Sequence, residues 1–174
     1  MRVTCLVALT ALLGAGAAGA QARQPAFLDP AAAGPKLQTL HLEARVDGPV
    51  RVGADGRGSV TLAVVPRAGM HVYAADAEGY VPFTLKLTPP AVVTAGKVSY
   101  PAAETSVFPP TGETSRVYTR PFAVTVTFGL TAGARRTLAA TGTLAATAAL
   151  RYQACDDRVC YRPTSGTVAF DIER

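Results

Sequence analysis

The feature that most restricts this chain is the strict alternation of apolar and polar residues in short runs. Leu40, Leu42, Ala44 and Val46 alternate with His41, Glu43, Arg45 and Asp47. The pattern returns with Val60, Leu62 and Val64, then with Phe122, Val124, Val126 and Phe128, and again with Val168, Phe170 and Ile172. Successive side chains of a strand point to opposite faces, so each run reads as a strand with one buried face. Turn signals punctuate the runs, among them "ADGRG" (Ala54 to Gly58) and "TAGAR" (Thr131 to Arg135).

One segment tests this reading. "TLAATGTLAATAALRYQA" is rich in alanine and favours helix by propensity. Its leucines stand at 138, 144 and 150, and six residues turn a helix by about 600°, which scatters them around the axis. An even spacing keeps them on one face of a strand. With Gly142 and several threonines also against helix, the segment is expected to be one long strand. The expected fold is therefore all-β: a single-domain immunoglobulin-like β-sandwich of about seven to nine strands with no helix. A barrel is the alternative.

Tyr100 to Pro121, "YPAAETSVFPPTGETSRVYTRP", is expected to be a long cap-like loop. Pro101, Pro109, Pro110 and Pro121 argue against a regular ladder there. Loops of this length in compact domains are usually functional or disordered, and Val107, Phe108 and Tyr118 favour function.

The first residues have the anatomy of a secretory signal peptide. Arg2 gives a positive start, Cys5 to Leu13 an apolar run, and Ala18-Gly19-Ala20 or Ala20-Gln21-Ala22 a small-residue cleavage site. The run is too short for a bilayer span of about 20 residues, although a retained anchor is the alternative. Residues 1–22 are thus assigned to a signal, 23–36 to a flexible Pro- and Ala-rich lead-in, and 37–174 to the domain. The destination is the periplasm or another exported space, with a soluble mature protein. Losing Arg2 lowers the formal charge from +5 to +4. Without Lys/Arg clusters interleaved with aromatics, this modest charge gives no nucleic-acid footprint. No dinucleotide fingerprint or phosphate-binding loop is visible.

Two cysteines remain in the mature chain, Cys155 and Cys160, within "RYQACDDRVCYRP". A bond between them is expected in an oxidising compartment. Its ring of six residues makes it a weak staple, worth about 2 kcal/mol against roughly 4.7 for a 100-residue loop. Counting along the long strand puts Cys155 on the face opposite Leu150 and Tyr152, away from the core and open to a partner. Four intervening residues suit a hairpin-like turn. On the residues alone a redox pair and a structural bond both stand, and Met70 and His71 with two thiols leave a copper site open.

The stretch "LRYQACDDRVCYRP" resembles the signature of the DsbD N-terminal domain family, in which Tyr-Gln-x-Cys leads to a second cysteine followed closely by proline. "AGMHVYA" (Ala68 to Ala74) resembles the family's early aromatic strand, and the segment from Val98 to Phe128 its cap loop and following strand. The resemblance spans about Leu37 to Ile172. It implies a monomeric periplasmic immunoglobulin-like domain, without metal or cofactor, that shuttles reducing equivalents. Electrons would come from a thioredoxin-like partner fed by a membrane-embedded transporter. They would go to disulfide isomerases or cytochrome c maturation thioredoxins. By the same resemblance Cys155 and Cys160 are the redox pair, Cys160 attacking and Cys155 resolving. Phe108 is the cap aromatic, and His71 and Tyr73 line the site.

The chain departs from the family pattern in three ways. Four residues rather than five separate the cysteines. Ser106 and Val107 stand where the cap has acidic residues directly before its aromatic. The sequence stops at Arg174, so the membrane transporter is expected on a separate chain. The rival from another class is a non-enzymatic immunoglobulin-like binding module whose disulfide merely ties a hairpin.

Overall fold

The alternating runs pair with each other in the register that their burial demands. Phe122 to Gly129 lie antiparallel to Val64 to Arg57, and Phe122, Val124, Val126 and Phe128 all face inward with Val60, Leu62 and Val64. The computed structural model describes residues 35–174. The expected signal peptide, and the lead-in up to residue 34, lie outside the described residues; Lys36 already belongs to a strand.

Among the described residues there are thirteen strands and one helix. The strands of the first half are β1 (Lys36–Gln38), β2 (Leu42–Val46), β3 (Val50–Arg51), β4 (Arg57–Pro66), β5 (His71–Tyr73), β6 (Thr84–Thr88) and β7 (Val93–Ser99). β8 (Glu104–Phe108), β9 (Glu113–Tyr118) and β10 (Phe122–Leu130) follow, then α1 (Ala132–Thr141), β11 (Thr143–Tyr152), β12 (Ala154–Cys155) and β13 (Thr164–Glu173). One sheet has the order β1-β2-β4-β10-β7 and a second β3-β13-β11-β6. The main core lies between them, with Leu42, Leu62, Val124 and Val126 from the first and Leu85, Leu150, Val168 and Ile172 from the second. This is the immunoglobulin-like β-sandwich that the alternation implies. A third sheet, β12-β5-β9-β8, extends from it and carries its own small apolar cluster.

Four local expectations fail, each for a physical reason. Residues 132–141 form a helix, so Leu138 packs from α1 and not from a strand. Thr131 caps its start by accepting the Ala134 N–H, and Gly142, at φ 81°, ends it by donating to Leu138 C=O. The glycine that argued against helix is its terminator. Leu144 and Leu150 do share the buried face of β11, with Ala146, Ala148 and Tyr152. Leu40 is 86% exposed, because the chain bends before β2 and puts His41 inside instead.

The third correction concerns Tyr100 to Pro121. This segment is a β-hairpin: β8 and β9 pair from Glu104 opposite Val117 to Phe108 opposite Glu113. Pro109 and Pro110 occupy the turn, while Pro101 and Pro121 stand outside the ladder, so the prolines frame the pairing rather than interrupt it. The N–H groups of Thr111 and Gly112 close the turn by donating to Phe108 C=O.

The fourth decides the site. β11 stops at Tyr152 and Gln153 falls outside any ladder. Its side chain accepts the Val81 N–H and donates to Tyr161 C=O, and its carbonyl accepts the Tyr73 N–H. The chain thereby crosses from the second sheet to the third. Parity is lost in the crossing, and the consecutive residues Ala154 and Cys155 are both buried. Cys155 does not face outward.

Candidate redox site

Cys155 and Cys160 are joined by a disulfide with Cα atoms 4.1 Å apart. They face each other across an antiparallel bridge, flanked by a hydrogen bond from Asp156 N–H to Val159 C=O and another from Tyr161 N–H to Ala154 C=O. The four intervening residues make the expected tight turn. Asp156 organises it: one carboxylate oxygen accepts the N–H groups of Arg158 and Val159 at 2.8 and 2.7 Å, and the other accepts the Tyr161 hydroxyl at 2.8 Å. These bonds to the charged form, the two backbone donors first, hold the Asp156 carboxyl below its ordinary range.

The two sulfurs differ in access. Cys155 is fully buried against Tyr73 and Val117, outside the main core, whereas Cys160 is half-buried at the edge of the same cluster. β5 brings its residues to them through pairing: Cys155 lies opposite His71, and Ala154 opposite Val72. Alternation along β5 then sends Val72 into the main core and leaves His71 and Tyr73 on the site side. Their rings meet edge to face at 5.8 Å. Burial lowers the His71 pKa, with the nearby Asp156 charge opposing it, so the ring is neutral at neutral pH.

The Tyr73 hydroxyl is 3.2 Å from Cys155 Sγ and 3.4 Å from Cys160 Sγ. Burial above all, with the neighbouring Tyr80 hydroxyl adding to the rise, pushes its pKa far above the ordinary phenol value, so it stays protonated. The Tyr80 ring stacks on Tyr73 at 4.0 Å and 7°. Its hydroxyl donates to the Glu113 carboxylate of β9. The group therefore contains a buried sulfur, an accessible sulfur and a phenol touching both. That suffices for exchange between a disulfide and an incoming thiol at Cys160.

The family model described as "Thiol:disulfide interchange protein DsbD, N-terminal" matches residues 38–172. The chain belongs to this family. Membership and the Cys155–Cys160 disulfide together support a thiol–disulfide interchange domain. Among solved structures, the N-terminal periplasmic domain of ScsB from Proteus mirabilis is similar at 15% identity and a TM-score of 0.55, covering 78% of this chain. The chain spans 49% of that domain's length. The DsbD N-terminal domain of Neisseria meningitidis in the reduced form aligns at 23% identity and a TM-score of 0.41, over 72% of this chain and 82% of that one. No curated protein matches the sequence.

Of the residues expected at the site, the structure brings together Cys155, Cys160, Tyr73 and His71. Phe108 stands at the end of the β8–β9 hairpin, half-buried, and is not among the side chains packed on the cysteine cluster. The hairpin reaches the site through Glu113, the residue opposite Phe108 in the ladder. Tyr80 and Glu113 escaped the sequence reading. Tyr80 sits in an irregular stretch after Gly79, with no periodicity to assign it a face, and only the tertiary fold couples it to Glu113. The thiols that a copper site would need are bonded to each other, and no group of three or more metal-binding side chains occurs among the described residues.

Proposed function

We propose that this domain is a periplasmic electron shuttle that cycles between the Cys155–Cys160 disulfide and the dithiol. A thioredoxin-like donor, fed by a membrane-embedded transporter on a separate chain, reduces it. It then reduces oxidised periplasmic oxidoreductases such as disulfide isomerases, so it is one component of a protein-disulfide reductase system. The observation that carries this reading is the placement of the disulfide. It closes a six-residue ring in a side cluster, ties no distant strands together, and leaves one sulfur accessible beside a phenol.

Family membership supports Cys160 as the attacking sulfur, and its greater exposure supports the same assignment. Cys155 is the resolving partner. Among the described residues neither cysteine opens a helix, so the activation that a helix N-terminus lends a thiol in its first turn has no part in this reading. Export by the leader at residues 1–22 belongs to this proposal, and no helix among the described residues is long and apolar enough to cross a membrane.

The test is electron transfer from the reduced domain to an oxidised thioredoxin-fold isomerase. Transfer by the wild type and none by the Cys155→Ser/Cys160→Ser variant is expected. The complete burial of Cys155 favours a second reading, a binding module with a structural hairpin bond. A wild-type domain that is folded yet neither accepts nor donates electrons would establish that reading instead.

A further inference from the structure

A disulfide re-forms readily only if its two thiols stay together while the bond is open. Once the Cys155–Cys160 bond is reduced, the short ring is cut, and the hairpin is free to splay unless other contacts hold it. Here those contacts do not involve the sulfurs. The turn is closed from both sides by one residue: the Asp156 N–H donates to Val159 C=O at 3.0 Å, and Asp156 Oδ1 accepts the N–H groups of Arg158 and Val159. Such a local bond from carboxylate to backbone stabilises a tight turn without help from the rest of the fold.

The arm that carries Cys160 is fixed through the residue after it. Tyr161 donates its N–H to Ala154 C=O at 2.9 Å, its C=O accepts the Gln153 side-chain amide at 3.1 Å, and its hydroxyl donates to Asp156 Oδ2 at 2.8 Å. Cys155, on the other arm, is fixed by the pairing of β12 with β5. Cys160 thus lies between two held neighbours, Val159 and Tyr161, and Asp156 binds both of them. Its two carboxylate oxygens are engaged by donors of the hairpin itself.

We propose that Asp156 is a positioning residue for the redox step: it keeps Cys160 beside Cys155 in the dithiol and so sets the reduction potential of the pair. Oxidation by a small disulfide shows how. The Cys160 thiolate attacks it, forms a mixed disulfide and releases one thiolate. The Cys155 sulfur, on losing its proton, then bonds to Cys160 Sγ, and the second thiolate departs. Two electrons have passed to the small disulfide, and the two cysteine protons are balanced by those its thiolates take up. The second step closes the ring, so its equilibrium follows the fraction of hairpins already closed. A hairpin closed for only about a tenth of the time forms the bond about ten times less favourably. The finished disulfide holds the turn shut with or without Asp156, so the effect falls on the dithiol. This inference rests on the shuttle reading above.

The full-length chain is equilibrated with mixtures of glutathione and glutathione disulfide at neutral pH, and the oxidised fraction is read by alkylating the free thiols. Asp156→Ala is expected to lower the equilibrium constant for disulfide formation about tenfold, which makes the potential less negative by about 30 mV. Asp156→Asn is expected to hold the constant within about threefold of the wild type, because its amide still accepts the backbone N–H groups and can donate to the Tyr161 oxygen. An unchanged constant in Asp156→Ala would overturn the proposal, since a merely structural contribution stabilises both redox states alike. A shift toward the disulfide would do the same, as would an Asp156→Asn constant as low as that of Asp156→Ala, which would tie the effect to charge and not to the turn. Should Asp156→Ala fail to fold, Tyr161→Phe decides: loss of its one bond is expected to lower the constant about threefold, and no fall would overturn the proposal. A folded wild type whose disulfide exchanges with neither glutathione nor dithiothreitol would instead overturn the shuttle reading beneath it.

Discussion

The Tyr73 hydroxyl and the Cys155 sulfur are 3.2 Å apart, on two side chains that are both buried. A reduced Cys155 has an S–H to donate there, while a bonded sulfur has none, so the contact favours the dithiol over the disulfide. Tyr73→Phe keeps the ring and removes the hydroxyl that would accept this proton. A hydrogen bond worth about 1 kcal/mol corresponds to roughly 20 mV for a two-electron couple. The variant is therefore expected to have a more negative reduction potential by that amount, measured by equilibration with a glutathione buffer. An unchanged potential would show that the contact does not distinguish the two redox states.

Removing the disulfide distinguishes a carrier from a staple by stability. A six-residue ring constrains the unfolded chain by only about 2 kcal/mol. Cys155→Ser/Cys160→Ser is expected to unfold cooperatively in urea with a loss near that value. A loss of twice this or more would assign the bond a structural role.

Both outcomes depend on where the sulfurs lie, and this was the least legible part of the sequence. Alternation identified the buried faces of β4, β10 and β13, because a sheet with one wet face writes its register into the residue pattern. The same rule put Cys155 on the wrong face. Parity carries only as far as the ladder does, and Gln153 ends the ladder with side-chain bonds that no period can reveal. The leucine spacing misled in a similar way, since it overrode an alanine propensity for helix that holds over α1: Thr131 and Gly142 are cap residues, but read without their partners they resemble a turn and a strand glycine. The cysteines, Tyr73 and His71 were legible through the motif and their shared strand face. Tyr80 and Glu113 were not, being separated in sequence and joined by one side-chain contact.

Shielding of the sulfurs can be divided between two aromatics. Tyr80 lies against Tyr73, and Phe108 is proposed as a cap from the hairpin tip. Tyr80→Ala removes the stacked ring and is expected to accelerate the reaction of the reduced domain with a small aromatic disulfide severalfold. Phe108→Ala is expected to do the same if the tip closes over the site when reduced; no change would leave the shielding to Tyr80. The intact domain is expected to reduce insulin slowly, since shielded sulfurs react only with a partner that opens the site. Rapid turnover of insulin would remove both aromatics from this role.

His41 gives the domain an acid-sensitive point outside the cysteine cluster. It is 7% exposed, packs against Tyr161 with the ring centroids 4.6 Å apart and tilted by 45°, and has its Nδ1 3.5 Å from the Tyr152 hydroxyl, while Nε2 is buried without a hydrogen-bond partner. The rings facing it offer no carboxylate to stabilise a cation, and burial lowers its pKa below the ordinary 6.5. In this case the unfolded chain binds more protons than the folded one. Its contribution to stability is full above the unfolded value and is lost as pH falls below it, toward the lower folded value. His71 adds to the loss in the same direction, opposed by Asp156. Glu104 and Asp156, whose pKa values are lowered, add theirs only in the more acidic carboxylate range. The urea midpoint is thus expected to drop between about pH 7 and pH 5, above the range in which Glu104 and Asp156 contribute. His41→Phe should flatten that slope, leaving the part due to His71. A slope that His41→Phe does not alter would show that the imidazole finds a proton acceptor in the folded protein. Because Tyr161 links His41 to the Asp156 turn, such an acceptor would have to be sought beside the cysteine hairpin.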